Sequence, residues 1–214
     1  MTPSPRDVKG LSVFAEVLIL SGALLGPALP AGEFVLDELQ LQTIDSVCEL
    51  LASRTDRFAQ EETMHIAVTV VRAAERHGLD PLLLLAVMEV ESSYRRRGRS
   101  PVGALGLMQV MPTTAEAFAE AAGVDWRGAR SLLEPETNIE IGAAYLAYLL
   151  ERFGDDREVA LAAYCHGPTA IRRSLRANGY LEERERGYAR KVLAVLRDLQ
   201  PSAPTATADR APAS

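Results

Sequence analysis

The sequence predicts a mainly α-helical fold built as a single domain. Three observations predict it. Apolar residues recur at helical spacing through residues 34–52 (Leu36, Leu39, Ile44, Val47, Leu51) and 61–77 (Ile66, Val70, Val71, Ala74). Helix punctuation surrounds these runs: Asp80-Pro81 reads as an N-cap followed by proline at the first helical position, and Gly78 reads as a C-cap. Residues 82–90 are apolar except for Glu89, as expected of a helix enclosed by a core.

The chain has 214 residues, enough for one domain with a real core and tails. A net charge of -6 argues against a nucleic-acid partner. Cys48 and Cys165 form neither a metal-ligand spacing nor a disulfide framework, although an oxidising compartment would leave a disulfide between them open. His65 and His77 read as surface or helix-end residues, because no ligand cluster surrounds them. The residues therefore call for no metal and no cofactor.

In chain order, residues 1–31 resemble a signal peptide or a membrane anchor. Arg6 and Lys9 precede an apolar run from Val17 to Leu25, and Ala31 offers a small residue for cleavage. Residues 32–54 form an N-terminal helical extension expected to pack on the back of a domain spanning 55–200. The helix at 61–77 follows, then the apolar helix from Asp80 to Glu91. Arg95, Arg96, Arg97 and Arg99 make a basic turn, either solvated or facing an anionic surface. A glycine-bearing loop occupies 100–112, and a helix is expected from Thr113 or Thr114 to about Ala122, ended by Gly123. Trp126 is either a sugar contact or a buried anchor. Thr137-Asn138-Ile139-Glu140 matches a capping box opening a helix through Leu150. Further helices are expected at 157–164, 169–177 and 182–199. Residues 201–214, rich in Pro, Ala, Ser and Thr, read as a disordered tail.

Glu91 is the residue with chemistry to offer. A carboxyl at the end of an apolar helix is half in the core, so its charged form is poorly solvated and its pKa should rise. Such a group can act as a general acid near neutral pH. Glu89 lies two positions away, about 200° around the helix, and faces elsewhere. It reads as a helix residue paired with an arginine.

Several linked segments carry a resemblance. They are Glu91-Ser92-Ser93-Tyr94, Ser100-Pro101-Val102-Gly103-Ala104 and Gly106-Leu107-Met108-Gln109-Val110-Met111-Pro112, with Asn138, Gly142, Tyr145 and Leu146 downstream. Ala163-Tyr164-Cys165-His166-Gly167-Pro168 and Glu185-Arg186-Gly187-Tyr188-Ala189 follow. Together they resemble the transglycosylase domain of the soluble lytic transglycosylase family. The resemblance implies a lysozyme-like fold of the α+β lysozyme superfamily, mainly α here, with a substrate groove. It also implies non-hydrolytic cleavage of the β-1,4 bond between N-acetylmuramic acid and N-acetylglucosamine in peptidoglycan. Glu91 would be the sole catalytic acid and base. Ser92, Gly106, Leu107, Met108, Gln109, Asn138, Tyr164 and Tyr188 would bind substrate or support the site. Asn138 alternatively reads as a helix-start residue, and Met108 as core filler. Tyr188 matches a tyrosine expected to reach the glutamate.

The implied partners are peptidoglycan glycan strands, with cell-wall or secretion machinery as a candidate recruiter. The implied location is outside the cytoplasm, in the periplasm or cell envelope. Two positions depart from the family pattern. Cys165 stands where an asparagine is expected, which puts substrate contacts at that corner in question. Glu89 stands where a neutral residue is expected. Rival readings are a goose-type lysozyme or chitinase that uses water, a non-catalytic wall-binding or assembly module, and a cysteine peptidase built on Cys165.

Overall fold

The computed structural model describes residues 38–200, so the expected leader, the first residues of the extension and the expected tail lie outside the described residues. The described chain forms α1 (Glu38–Arg54), α2 (Gln60–His77), α3 (Pro81–Ser92), α4 (Pro112–Phe118), a 3₁₀ helix (Ala129–Leu133), α5 (Pro135–Arg152), α6 (Arg157–His166), α7 (Pro168–Asn178) and α8 (Glu183–Leu199). Among the described residues, β structure is limited to isolated bridges of Leu105 with Arg99 and Val110. None of the described helices is long and apolar enough to cross a membrane.

The apolar run becomes α3, the centre of the fold. Asp80 caps it, its Oδ1 accepting the Leu82 N–H at 2.9 Å, and Pro81 sits where no helical hydrogen bond is lost. Residues Leu83 through Met88 are all buried. α2 and α8 pack against α3, while α5 packs on α2 and α6. A second apolar cluster forms where α5, α6 and α7 meet, around Leu149, Ala160, Ala163, Ile171 and Leu181. α1 lays Ile44, Val47 and Leu51 onto α2. α2 ends at Gly78, whose φ of 64° is open to glycine and strained for other residues.

Two local expectations are corrected. α5 begins at Pro135 with Glu134 as N-cap, so the box at Thr137 does not cap it. Proline is preorganised for the first turn and shifts the start two residues upstream, which leaves Thr137 and Asn138 inside the helix and buried. α4 likewise starts on its proline and stops at Phe118; the residues from there to Gly123 run as turns. The 3₁₀ helix before α5 was not foreseen. It carries Leu132 into the core.

The burial of Asn138 organises the loop between α3 and α4. Its Oδ1 accepts the Met108 N–H at 2.7 Å. Its Nδ2 donates to Leu105 O at 2.8 Å and Leu132 O at 3.0 Å. A fully buried amide with its partners in place is stabilising, whereas an unsatisfied one would be costly. The loop runs hard against α5. A Cβ on Gly106 (φ 80°) would stand 2.3 Å from Asn138 Nδ2 and 2.4 Å from Leu132 O, and one on Gly142 would stand 2.5 Å from Met108 Sδ.

Gly106→Ala therefore adds both a left-handed strain and a clash with backbone. We expect it to destabilise the protein by about 3 kcal/mol or more in urea unfolding. A change within about 0.5 kcal/mol would mean that the loop is not held as described.

Candidate active site

Glu91 lies in the last turn of α3, where the buried face of that helix reaches the surface, and it is half-buried. α8 runs alongside and delivers Tyr188, whose hydroxyl donates to Glu91 Oε1 at 2.7 Å. Burial pushes the Glu91 carboxyl up from 4.5 to about 7, and the Tyr188 bond works against that rise. The group is thus a carboxyl that is about half protonated at neutral pH, able both to give and to take a proton. Tyr188 and Tyr164 are both pushed well above the ordinary tyrosine value, by burial first and then by Glu91, so both are neutral phenols.

The other expected residues arrange themselves around this acid. Ser92 is buried; its Oγ lies 2.7 Å from Leu107 O and 3.0 Å from Met88 O and shares its proton between them. Tyr164 donates to Met108 O at 2.9 Å and stacks at 5.3 Å on Tyr145. Gln109, at a φ of 48°, is partly accessible and donates from Nε2 to Gly106 O at 2.9 Å.

Glu91, Gln109, Tyr164 and Tyr188 retain accessible surface. Ser92, Leu107, Met108 and Asn138 are nearly or wholly enclosed, at 2%, 0%, 0% and 0% exposure. Of the two roles expected for these four, binding or support, their burial favours support: they brace the loop from beneath. Met108 is core filler, and Asn138 is a support inside α5. Trp126 is half-buried in the irregular stretch before the 3₁₀ helix.

Glu89 points away, as its spacing predicts. It lies 3.5 Å from Arg54 Nη1 and accepts from Tyr94 OH at 3.2 Å. The sequence reading anticipated an arginine partner but not which one. Arg57 was also missed; its Nε donates to Ser93 O at 3.1 Å. The available signal was Glu89 itself, a lone charge in an apolar helix that has to be matched. In the basic turn, Arg96 pairs with Glu62 at 2.7 Å and Arg95 Nε donates to Ser92 O at 3.0 Å. Arg97 and Arg99 are exposed.

Cys48 and Cys165 are both free thiols, so the disulfide left open by the sequence is absent. Partial burial and then the Glu91 carboxylate raise the Cys165 thiol above its ordinary value, with Lys191 opposing. A nucleophilic cysteine needs a lowered pKa, so this environment disfavours the peptidase reading.

Glu140 is another buried carboxyl raised by desolvation, but Arg76 and Arg72 work against the rise and His77 lies at 4.0 Å. That network ties α2 to α5. Two surface concavities, one along α7 around Arg172, Arg173 and Arg176 and one between His77 and Tyr148, do not include Glu91. Among the described residues no group of three His, Cys, Asp or Glu side chains is placed to hold a metal ion.

The raised acid gives stability a pH dependence. Below about 4.5 Glu91 is protonated in both folded and unfolded chains. Between 4.5 and about 7 the unfolded chain releases a proton that the folded chain keeps, so folding stability falls as pH rises. Above that window the full cost is present. Glu91→Gln removes it while keeping an acceptor for Tyr188. The variant should gain stability over the parent between pH 4 and pH 8, by on the order of 3 kcal/mol at the upper end. Parallel stability-versus-pH curves for the two proteins would contradict the assignment of a raised pKa to Glu91.

Comparison with known proteins places the chain in a family. The transglycosylase SLT domain model matches residues 69–186. The soluble lytic murein transglycosylase of Salmonella typhimurium is 42% identical over 122 residues, which cover 51% of this chain and 19% of that protein. Among solved structures, an inactive glutamate-to-glutamine mutant of the lytic transglycosylase Slt from Pseudomonas aeruginosa superimposes with a TM-score of 0.58 at 28% identity, covering 75% of this chain and 28% of that one. The 70 kDa soluble lytic transglycosylase of Escherichia coli gives a TM-score of 0.56 at 26% identity, over 75% of this chain and 30% of its own. The chain thus spans less than a third of the length of these relatives. Its helical architecture is that of the lytic transglycosylases, and by the extent of the domain match the chain belongs to the transglycosylase SLT domain family.

Proposed function

We propose that this protein is a peptidoglycan lytic transglycosylase. It would cleave the β-1,4 bond between N-acetylmuramic acid and N-acetylglucosamine and leave 1,6-anhydromuramic acid ends. The observation that carries the proposal is a raised acid, Glu91, held by Tyr188 at the partly open end of α3. Family membership and the murein-cleaving relatives support it. A solved relative is inactive when one of its glutamates becomes glutamine, which fits dependence on a single carboxyl group.

Glu91 donates its proton to the glycosidic oxygen as that bond breaks. The developing cation needs a partner, and no carboxylate appears among the groups that shift Glu91. The substrate's own acetamide can fill that role, as in the substrate-assisted exceptions to two-carboxylate glycosidases. Glu91, now ionised, takes the proton of the sugar's 6-hydroxyl, whose oxygen closes on the anomeric carbon. The acid is thereby restored, and no water is consumed. Tyr188 holds the carboxyl in place for both transfers, and its donated hydrogen bond favours the ionised stage. Gln109 offers an amide to a sugar hydroxyl or acetamide. We further propose that the chain acts outside the cytoplasm, reached through residues 1–31.

Glu91→Gln should lower release of anhydro-muropeptides from purified sacculi by at least about 10²-fold, because a positioned acid contributes about 10²–10⁴ and this one acts twice. Glu89→Gln should change it by less than about tenfold. The parent rate should also decline as pH rises above about 7, where Glu91 loses its proton. Near-parental anhydro release from Glu91→Gln would overturn the mechanism.

A further inference from the structure

The end of α3 is held in an unfavourable conformation. Ser93 and Tyr94, the two residues after the helix, are consecutive non-glycine residues with φ of 49° and 60°. Left-handed geometry at such residues persists only where the surroundings enforce it. Glu91 lies two residues before that bend, in the last turn of α3, so whatever enforces the bend also sets how far the carboxyl projects from the core.

Part of the enforcement is local. Tyr94 OH lies 3.3 Å from Leu85 O and 3.2 Å from Glu89 Oε2, and Ser92 is tied to Leu107. The rest comes from upstream of the family-matched span, which begins at residue 69. Arg54, the last residue of α1, holds Glu89 at 3.5 Å. Arg57, in the segment joining α1 to α2, donates to Ser93 O at 3.1 Å. Glu89 is also the position where the resemblance leads one to expect a neutral residue. The departure and its partner therefore belong together: a charge placed in the apolar helix meets a cation supplied by the extension.

We propose that Arg54 and Arg57 are positioning residues, through which the N-terminal extension and the segment that follows it fix the end of α3 and the exposure of the Glu91 carboxyl. The inference rests on the proposed role of Glu91 in cleavage, but its physical content can be read without cleavage. The groups facing Glu91 are Tyr188 on α8 and Tyr164 and Cys165 on α6, with Lys191 on α8 acting on Cys165. Neither Arg54 nor Arg57 is among the groups that shift Glu91 directly. Removing a nearby cation would raise a carboxyl, whereas loosening the helix end admits water and lowers it. The direction of the change therefore separates positioning from direct charge.

The test uses the full chain and its Arg57→Met and Arg54→Met/Arg57→Met variants. The Glu91 carboxyl is followed by carbon-13 NMR titration, its signal assigned by its loss in Glu91→Gln. Anhydro-muropeptide release is measured against pH in parallel. The half-titration point of Glu91 should fall in the double variant by at least about one pH unit from its parental position near 7. The alkaline limb of the activity profile should move with it. Arg54→Lys/Arg57→Lys should recover part of the shift. An unchanged or raised Glu91 titration, with only a lower melting temperature, would show a structural tie and overturn the proposal. If the double variant does not fold, Arg57→Met is read the same way, and an unshifted titration there is equally decisive. A parent that releases no anhydro product while the titration still shifts would defeat the functional reading and leave the positioning intact.

Discussion

A carboxyl group loses solvation when a helix carries it to the edge of an apolar core, and Glu91 stands at such an edge. α3 is enclosed from Leu83 to Met88 and opens to solvent again in its last turn. That geometry raises the acid to about 7 and requires that its exposure be controlled. Slightly deeper, and the ionised stage of the proposed reaction would be inaccessible; further out, and the group would be an ordinary carboxylate with no proton to give. Tyr188 is set against the desolvation as a compensating donor.

Two supports from different parts of the chain keep the acid there. From α5, Asn138 fixes the loop that runs beside the helix end, using its whole amide on Leu105, Met108 and Leu132. Gly106 and Gly142 allow backbone and helix to approach closely enough for those bonds. From α6, Tyr164 reaches the same loop through Met108 O. The residues that look most like ligand contacts by position in the sequence are largely this scaffold. The accessible surface is left to Glu91, Gln109, Tyr164 and Tyr188.

The helical architecture was legible because its signals are local and strong. Asp80-Pro81, Gly78 and the apolar run from Leu82 each act over one or two turns, and each marks what it predicted. The raised acid was legible for the same reason, since a carboxyl closing an apolar helix implies its own desolvation. The start of α5 was misjudged because Thr137 to Glu140 mimics a capping box while Pro135 starts the helix earlier. The roles of Ser92, Leu107, Met108 and Asn138 could not be separated in sequence, because a residue beneath a site and one lining it share the same motif. Arg54 and Arg57 were hidden because their contacts with Glu89 and Ser93 span about 35 residues, and such pairings have no local signature.

In the proposed reaction the 6-hydroxyl of the sugar, not water, closes on the anomeric carbon after Glu91 has given up its proton. The most direct measurement is the mass of muropeptides released from purified sacculi in heavy-oxygen water. The account predicts products one water lighter than reducing-end muropeptides and free of the heavy isotope. Reducing-end products carrying one heavy oxygen would show hydrolysis at the same acid and contradict it.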